Sequence, residues 1–335
     1  MAGSSGRDVV VVAASAGGVE ALRALLARLP GDLAASVLVV LHLPPRAGSS
    51  LAGILDRAGP LEAATAGDGE SLRHGRVYVA PPDRHLMVQD GEIRLSRGPR
   101  YNGHRPAADP LFLSAALDAG PRTLAVVLSG TLDDGARGCA VVERHLGAVV
   151  VQDPRQSAFD GMPRAALAAA RSAEAFPVEE IAEWVVRQSR TTVEDEVVKD
   201  PGIEKEVALY LLSGEIGPYG GDLTGLSCPE CGGPVYEAKN GGEAHYGCRV
   251  GHGWSPQGMA ASQAEAVERA LWTATLRLEE RLRMLERMQE RAEAQGRSHS
   301  SRRLLEDAEQ TRQALETMRM LQSRIGGTGD TLALT

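Results

Sequence analysis

The sequence predicts an α/β protein: a doubly wound, mostly parallel sheet with helices on both faces, three layers in all, followed by a small Cys- and His-bearing segment and a helical hairpin. Two observations predict the sheet. From residue 8 to about 190, short apolar runs rich in β-branched residues alternate with helical patterns, the order expected of strands joined by covering helices. Each run is also nearly all apolar, as in a strand buried on both faces, where a half-exposed strand would alternate. A third observation sets the remainder apart. Beyond residue 227 the chain turns first to Cys, Gly and His, and then to strong helix formers, Glu, Arg, Ala, Leu, Met and Gln. The first part is therefore expected to be Rossmann-like.

In chain order, strands are expected at 8–13, 37–41, 76–80, 123–128 and 148–151. Between the first two, residues 19–29 carry Leu22, Leu25, Leu26 and Leu29 at helical spacing, and Pro30-Gly31 stops the helix. A hairpin is expected at 86–88 and 92–95, turning at Asp90-Gly91. After this domain, 1–190, residues 191–227 have the character of a linker: acidic at Glu194, Asp195, Glu196 and Asp200, one short helix at 206–212, then glycine-rich around 217–225. Residues 228–258 form the Cys/His segment. Residues 259–325 predict a two-helix hairpin or short coiled coil, because apolar or small residues at 271, 275, 278, 282 and 285, then 304, 308, 311, 315, 318 and 325, follow 4-3 steps interrupted at Gln295-Gly296-Arg297-Ser298. Residues 326–335 are a tail.

At 335 residues the chain should hold two domains and a smaller third element. Lys and Arg total 36 against 44 Asp and Glu, a net of −8, which lacks the basic excess that binding to phosphate backbones needs, so nucleic acid is not expected as a partner. Apolar residues at 43% and charged residues at 24% exclude global disorder. Four cysteines are too few for a disulfide scaffold, and Cys228, Cys231 and Cys248 crowd into one stretch, which predicts a reducing compartment and a metal site. The apolar run after Arg7 is shorter than a signal-peptide core, and no run approaches a membrane span. A cytoplasmic protein without membrane insertion is expected.

In an open α/β sheet the reacting groups gather at the carboxyl ends of the strands. Ser15 follows the first strand in Val-Val-Ala-Ala-Ser-Ala-Gly-Gly, His42 ends the second in Val-Val-Leu-His-Leu-Pro-Pro, and Asp134 follows another in Leu-Ser-Gly-Thr-Leu-Asp-Asp-Gly-Ala. A serine hydroxyl needs an imidazole to take its proton and a carboxylate to hold that imidazole's tautomer, and these three could fill the roles. Ser15 also enters a helix whose first residues, Ala16, Gly17 and Gly18, leave backbone N–H groups free for a developing oxyanion. A phosphate-loop or N-cap serine is the rival reading, but Gly-x-Gly-x-x-Gly and an acidic end to the second strand are both missing. His74, His145 and His299 sit in solvated patterns, and His245 and His252 belong with the cysteines. That leaves His42, His85 and His104 as candidate bases, of which His85 and His104 could equally be structural or substrate-contacting. Asp133 competes with Asp134 on position alone.

At these residues the sequence resembles the catalytic domain of the chemotaxis protein-glutamate methylesterases, the CheB type, over about residues 8–190. The resemblance rests on Ala-Ser-Ala-Gly-Gly at 14–18, His42 before Pro44, Ala-Pro-Pro-Asp-Arg-His-Leu at 80–86, His-Arg-Pro at 104–106 followed by Asp109, Leu-Ser-Gly-Thr-Leu-Asp-Asp-Gly-Ala at 128–136 and Gly-Met-Pro at 161–163. It implies Ser15 as nucleophile, His42 as base, Asp134 as orienting acid, the Thr131 N–H beside that of Ala16 at the oxyanion, and His104, Arg105 and Met162 on the substrate side. The implied reaction is hydrolysis of γ-glutamyl methyl esters on the cytoplasmic helices of methyl-accepting chemoreceptors, releasing methanol, with deamidation of receptor glutamines as a second activity. Three departures stand out. Ala13 replaces the family's usual Gly, Thr131-Leu132 replaces its usual Met-Gly, and only 14 residues precede Ser15, too few for the family's receiver domain, so control by phosphorylation is expected either through a separate receiver protein or not at all. A chemosensory scaffold that binds without turnover is the competing function. Redox chemistry on a nucleotide-binding sheet is disfavoured by the missing glycine fingerprint.

Cys228-x2-Cys231, sixteen residues, then Cys248-x3-His252 is the spacing of a Cys₃His tetrahedral site, with Pro229 and Gly232-Gly233 supporting the tight turn. Four ligands close the sphere, so a structural zinc is expected, with no cofactor needed for catalysis. Reduced cysteines without metal are the alternative, and His245 is the substitute ligand. Similar Cys-Pro-x-Cys-Gly-Gly and Cys-Arg-Val-Gly-His segments follow methylesterase domains that lack the receiver. The helical tail carries as many arginines as acidic residues. A hairpin packed on its own domain and a partner-binding or dimerising surface fit it equally.

Overall fold

The computed structural model describes residues 4–42, 50–194, 198–211, 221–240 and 243–325. Pro44, Asp195, Glu196, Leu212, the first part of the glycine-rich stretch and the 326–335 tail lie outside them. The chain divides into two compact units, Met1–Met259 and Ala260–Thr335. The first runs β1 (Ser4–Gly6), β2 (Val9–Ala14), α1 (Gly18–Leu26), β3 (Ser36–Leu41), α2 (Leu51–Asp56), β4 (Glu62–Thr65), β5 (Arg76–Val79), β6 (His85–Gln89), β7 (Glu92–Ser96), α3 (Ala108–Ala119), β8 (Thr123–Val127), α4 (Ala136–Arg144), β9 (Ala148–Gln152), α5 (Gly161–Ala169), β10 (Glu174–Phe176), α6 (Val178–Ser189), β11 (Thr192–Glu194), α7 (Pro201–Tyr210) and then β12 (Asp222–Ser227), β13 (Pro234–Asn240), β14 (Glu243–Cys248) and β15 (Gly253–Trp254).

Seven strands form one sheet in the order β10-β9-β8-β2-β3-β5-β4, every neighbouring pair parallel. All six residues of β2 are buried. Because successive side chains leave a strand on opposite faces, Val9, Val11 and Ala13 enter one core with α3, α4 and α5, while Val10, Val12 and Ala14 enter a second core with α1, α2 and α6. The five expected strands are present within one residue at each end. Two were not foreseen: β4 and β10 are the edges of the sheet, four and three residues long, partly exposed and without an apolar run. The expected hairpin is β6 with β7, paired from His85 with Ser96 to Gln89 with Glu92.

The linker expected at 191–227 is corrected in its middle. The helix there starts at Pro201, five residues before the expected start, because the Asp200 carboxylate caps it by accepting the Ile203 N–H at 3.2 Å and proline is preformed for the first turn. This helix, α7, packs on α3 and puts Ile203, Val207 and Tyr210 into the core. Glu206 on it is buried and ion-paired with Arg137. Thr192–Glu194 pairs antiparallel with Ser4–Gly6. His145, expected in solvent, is also buried, at 1% exposed.

The second unit is the continuation of α8 (Pro256–Ala294) with α9 (Ser298–Ile325), joined at the break foreseen at residues 295–298. Thr275, Ala308, Thr311 and Leu315 of the 4-3 seam are buried, and Glu279–Arg319 at 2.9 Å and Glu286–Arg312 at 3.1 Å cross between the helices. No described helix is long and apolar enough to cross a membrane.

Candidate active site and metal cluster

Ser15 follows β2, His42 follows β3 and Asp134 lies in the loop between β8 and α4. The chain leaves β2 for β3 on one side and later returns to β8 on the other, so these three exits meet where the winding of the sheet reverses, the place where α/β sheets open a crevice. Ser15 is tied across the opening: its N–H donates to Ser129 O at 2.9 Å, and its carbonyl accepts the Gly18 N–H at 2.9 Å. The turn between needs glycine. Gly17 has φ of 70°, and a Cβ there would stand 2.8 Å from Ala158 Cβ and 2.9 Å from Ser129 Oγ.

His42 bridges the other two residues. Its Nδ1 lies 3.1 Å from Ser15 Oγ and its Nε2 2.6 Å from Asp134 Oδ2. Burial pushes the Asp134 carboxyl up, but the hydrogen bond from His42 and the backbone N–H groups of Ala108 and Asp109, at 2.7 and 3.1 Å, more than offset it and hold it below the usual range. Those N–H groups are the open first turn of α3, which favours a negative charge. An ionised Asp134 only accepts, so His42 carries its proton on Nε2 and presents Nδ1 to accept the Ser15 hydroxyl hydrogen.

Two further groups shape this chain. His104 stacks on His42 with ring centroids 4.1 Å apart and planes 6° from parallel. Burial, and then the charge His42 can carry, lower its pKa to about 4, so it is a neutral wall beside the imidazole. Asp109 was named in the sequence only as part of a motif. It is buried, accepts the Gly138 N–H at 2.6 Å, and is pushed well up by burial and then by Asp134. Sequence spacing from His-Arg-Pro was its only signal.

The loop after β8 fixes the candidate oxyanion donors. Gly130 N–H donates to Phe159 O at 3.0 Å and Gly130 O accepts the Met162 N–H at 2.9 Å, so the peptide plane into Thr131 is held and the Thr131 N–H points away from α5. Among the described residues neither the Thr131 nor the Ala16 N–H donates to another protein group. Gly130 tolerates no side chain, since a Cβ would lie 2.1 Å from Met162 Sδ and 3.0 Å from Ser15 Cβ.

Two residues expected on the substrate side sit elsewhere. Met162 is fully buried and acts on the site through Gly130. The Arg105 guanidinium is spent on Asp83, at 3.1 and 2.6 Å, and on the carbonyls of Arg97 and Gly98. Both were placed by motif, and a motif does not say which way a side chain faces.

The Cys/His segment is a four-stranded antiparallel sheet, β12 to β15, and among the described residues Cys228, Val235, Cys248, Trp254 and Met259 form its own small buried cluster. The ligand atoms of Cys228, Cys231, Cys248 and His252 lie within 4.8 Å of one another, so the cluster could hold a metal ion. Cys228 Sγ to His252 Nδ1 is 3.7 Å, Cys231 Sγ to Cys248 Sγ 3.6 Å and Cys248 Sγ to His252 Nδ1 3.5 Å. A tetrahedron with bonds of about 2.3 Å to sulfur and about 2.0 Å to nitrogen has edges of about 3.5–3.8 Å, so the donor set fits zinc. His245, the substitute ligand, is not in the cluster: it is buried 3.8 Å from the Glu206 carboxylate.

With this geometry in hand, comparison with known proteins gives a consistent answer. The chain is 37% identical over 185 residues to a protein-glutamate methylesterase/protein-glutamine glutaminase of Pyrococcus horikoshii, covering 54% of this chain and 50% of that protein. To one of Anaeromyxobacter dehalogenans it is 41% identical over 186 residues, covering 55% and 53%. The chain thus spans about half the length of these curated relatives. The crystal structure of the Thermotoga maritima CheB methylesterase catalytic domain superimposes with a TM-score of 0.51 and 33% identity, over 54% of this chain and 97% of that one. The model of the CheB methylesterase family matches residues 10–185, more than half of the sequence, and the chain belongs to that family.

Proposed function

We propose that the chain is a serine-type carboxyl esterase that hydrolyses γ-glutamyl methyl esters on the cytoplasmic helices of chemoreceptors. The observation that carries this reading is the unbroken hydrogen-bonded path from Ser15 Oγ through both His42 nitrogens to Asp134. In the proposed sequence Ser15 Oγ attacks the ester carbonyl carbon while His42 Nδ1 takes the hydroxyl proton and Asp134 steadies the imidazolium through Nε2–H. The tetrahedral oxyanion is held by the Ala16 and Thr131 N–H groups. His42 returns its proton to the methoxy oxygen, methanol leaves, and an acyl-Ser15 remains. Water, deprotonated by His42, then attacks the acyl carbon and releases the glutamate side chain with Ser15 restored. The names of the curated relatives also support glutamine deamidation at the same site, with ammonia in place of methanol.

The Cys228, Cys231, Cys248 and His252 cluster is assigned to zinc in a structural role, because four protein ligands leave no open position and the segment's own core is too small to fold unaided. Reduced thiols in that cluster fit a cytoplasmic setting. Trp272, Met284, Leu305 and Met320 are exposed on the helical hairpin, which supports self-association through it.

The test is methanol release from methylated receptor cytoplasmic fragments by the parental protein and by Ser15→Ala. Release that vanishes in the variant is the expected result. No release from either, with fold and metal content intact, overturns the receptor methyl ester as substrate in favour of a binding scaffold or a different carboxyl ester.

A further inference from the structure

The geometry points to the Cys/His module as a positioning element for His42, so that metal loading of residues 228–252 sets how fast Ser15 reacts. This inference rests on the reading of Ser15 as nucleophile and of the cluster as a metal site. Six contacts within the first compact unit carry it.

The segment from Pro99 to His104 is a tight turn closed on itself, Tyr101 N–H donating to His104 O at 3.2 Å and His104 N–H to Tyr101 O at 2.8 Å. His104, at its end, is the ring stacked on His42. The module holds this turn from behind. Gly253, next to ligand His252, donates its N–H to Arg100 O at 3.1 Å and accepts the Asn102 N–H at 2.9 Å. Ser255 donates its N–H to Asn102 Oδ1 at 2.9 Å. Glu230, between ligands Cys228 and Cys231, pairs with Arg100 at 3.2 Å. His245 stacks on Tyr101, with centroids 5.6 Å apart and planes 10° from parallel.

The sixth contact reaches the other end of the path. Ser255 Oγ donates to Asp133 Oδ1 at 2.9 Å, and Asp133 directly precedes Asp134. One element therefore grips both neighbours of His42: the ring stacked on its face and the loop that carries its carboxylate. The module's own cluster of buried residues is small, so the metal is what keeps Gly253 and Ser255 in place. Losing it frees the 99–104 turn and the 133–134 peptide together. A displacement of about 1 Å at the general base lowers turnover by up to about 100-fold.

The experiment uses the full chain as purified. Its metal is counted, removed with a thiophilic chelator and restored with zinc. Three quantities are followed: kcat and KM for methanol release, the rate at which a fluorophosphonate labels Ser15, and the downfield proton resonance of His42 Nε2–H. Removal should lower kcat and the labelling rate about 10- to 100-fold, with KM changed far less, and should broaden the resonance; zinc should restore all three.

Ser255→Gly provides the second arm. Glycine caps a helix nearly as well as serine, so α8 loses little, while the link to Asp133 is gone. This variant should keep its metal, show part of the lowered kcat and altered resonance, and lose less on chelation than the parental protein, because only the Asp133 link is already gone. Ser255→Thr, which keeps the hydroxyl, should behave as parental. A chain that binds no metal overturns the inference, as does a parental protein whose Ser15 labelling and His42 resonance are unchanged by complete removal. Equal chelation losses in Ser255→Gly and parental protein also overturn it. A metal-loaded protein that labels at Ser15 in the metal-dependent way but releases no methanol would sink the proposed substrate and still support the coupling.

Discussion

Asp134 grips His42 through Nε2, which leaves Nδ1 for Ser15. The carboxylate is filled on both oxygens: Oδ2 takes the Ala108 N–H as well as His42, and Oδ1 takes the Asp109 N–H. Asparagine has one oxygen for these three donors. Whichever way the amide turns, an NH₂ faces a backbone N–H or the imidazole loses its acceptor. Asp134→Asn should therefore lower kcat for methanol release by about 10⁴, and Ser15→Ala or His42→Ala by about 10⁶. Rates within tenfold of parental for Asp134→Asn would show that the carboxylate does not set the tautomer.

Leu132 has φ of 60° beside the candidate oxyanion loop, at the position where the resemblance expects glycine. A non-glycine residue in that region costs about 1–2 kcal/mol, and a β-branched one more. Its side chain is 43% exposed, so little packing offsets the strain. Leu132→Gly should leave the thermal midpoint unchanged or raised, since relief of strain outweighs glycine's chain entropy of about 0.5–1 kcal/mol. Leu132→Ile should lower it. Equal midpoints for Ile and Gly would refute the strain.

The sheet was legible because its central strands are buried on both faces and so write unbroken apolar runs such as Val9–Ala14. The edge strands β4 and β10 were not, because a short, half-wet strand has no such signature. Ser15, His42 and Asp134 could be picked out since each follows a strand and the sheet brings strand ends together. What spacing could not show is side-chain direction. Arg105 and Met162 carry motif positions but face structural partners, and Asp109, equally close in the chain, lies against Asp134. Ser255 and Asn102 are 153 residues apart, and no local pattern announces their contact.

His85, His104 and His245 all have pKa values lowered to about 4, in each case first by burial. Between pH 6.5 and 4 the unfolded chain takes up protons that these rings refuse, so stability falls as pH falls through that window, by up to about 1.4 kcal/mol per pH unit for each histidine. Asp109, raised by burial, works in the opposite sense. The share of one ring can be isolated at His85, whose Nε2 lies 2.9 Å from Pro99 O. His85→Gln keeps a donor but cannot charge. Its urea midpoint should fall less than that of the parental protein between pH 7 and 5, and parallel curves would rule out a neutral buried His85.

The buried pair of Arg137 on α4 and Glu206 on α7 holds the helix that the sequence placed in a linker. Glu206 is 6% and Arg137 9% exposed, and Glu206 raises the Arg137 pKa against the cost of its burial. Removing one partner strands the other charge, at a cost of about 3–5 kcal/mol, whereas replacing both with apolar groups of similar volume is close to neutral. Glu206→Gln should accordingly lower the denaturant midpoint sharply, and Arg137→Met with Glu206→Leu should recover most of the loss. Ser15 labelling should remain parental in the double variant, because neither residue touches Ser15, His42 or Asp134. A Glu206→Gln protein within 1 kcal/mol of parental would mean that the ion pair contributes little and that α7 is held mainly by the packing of Ile203, Val207 and Tyr210.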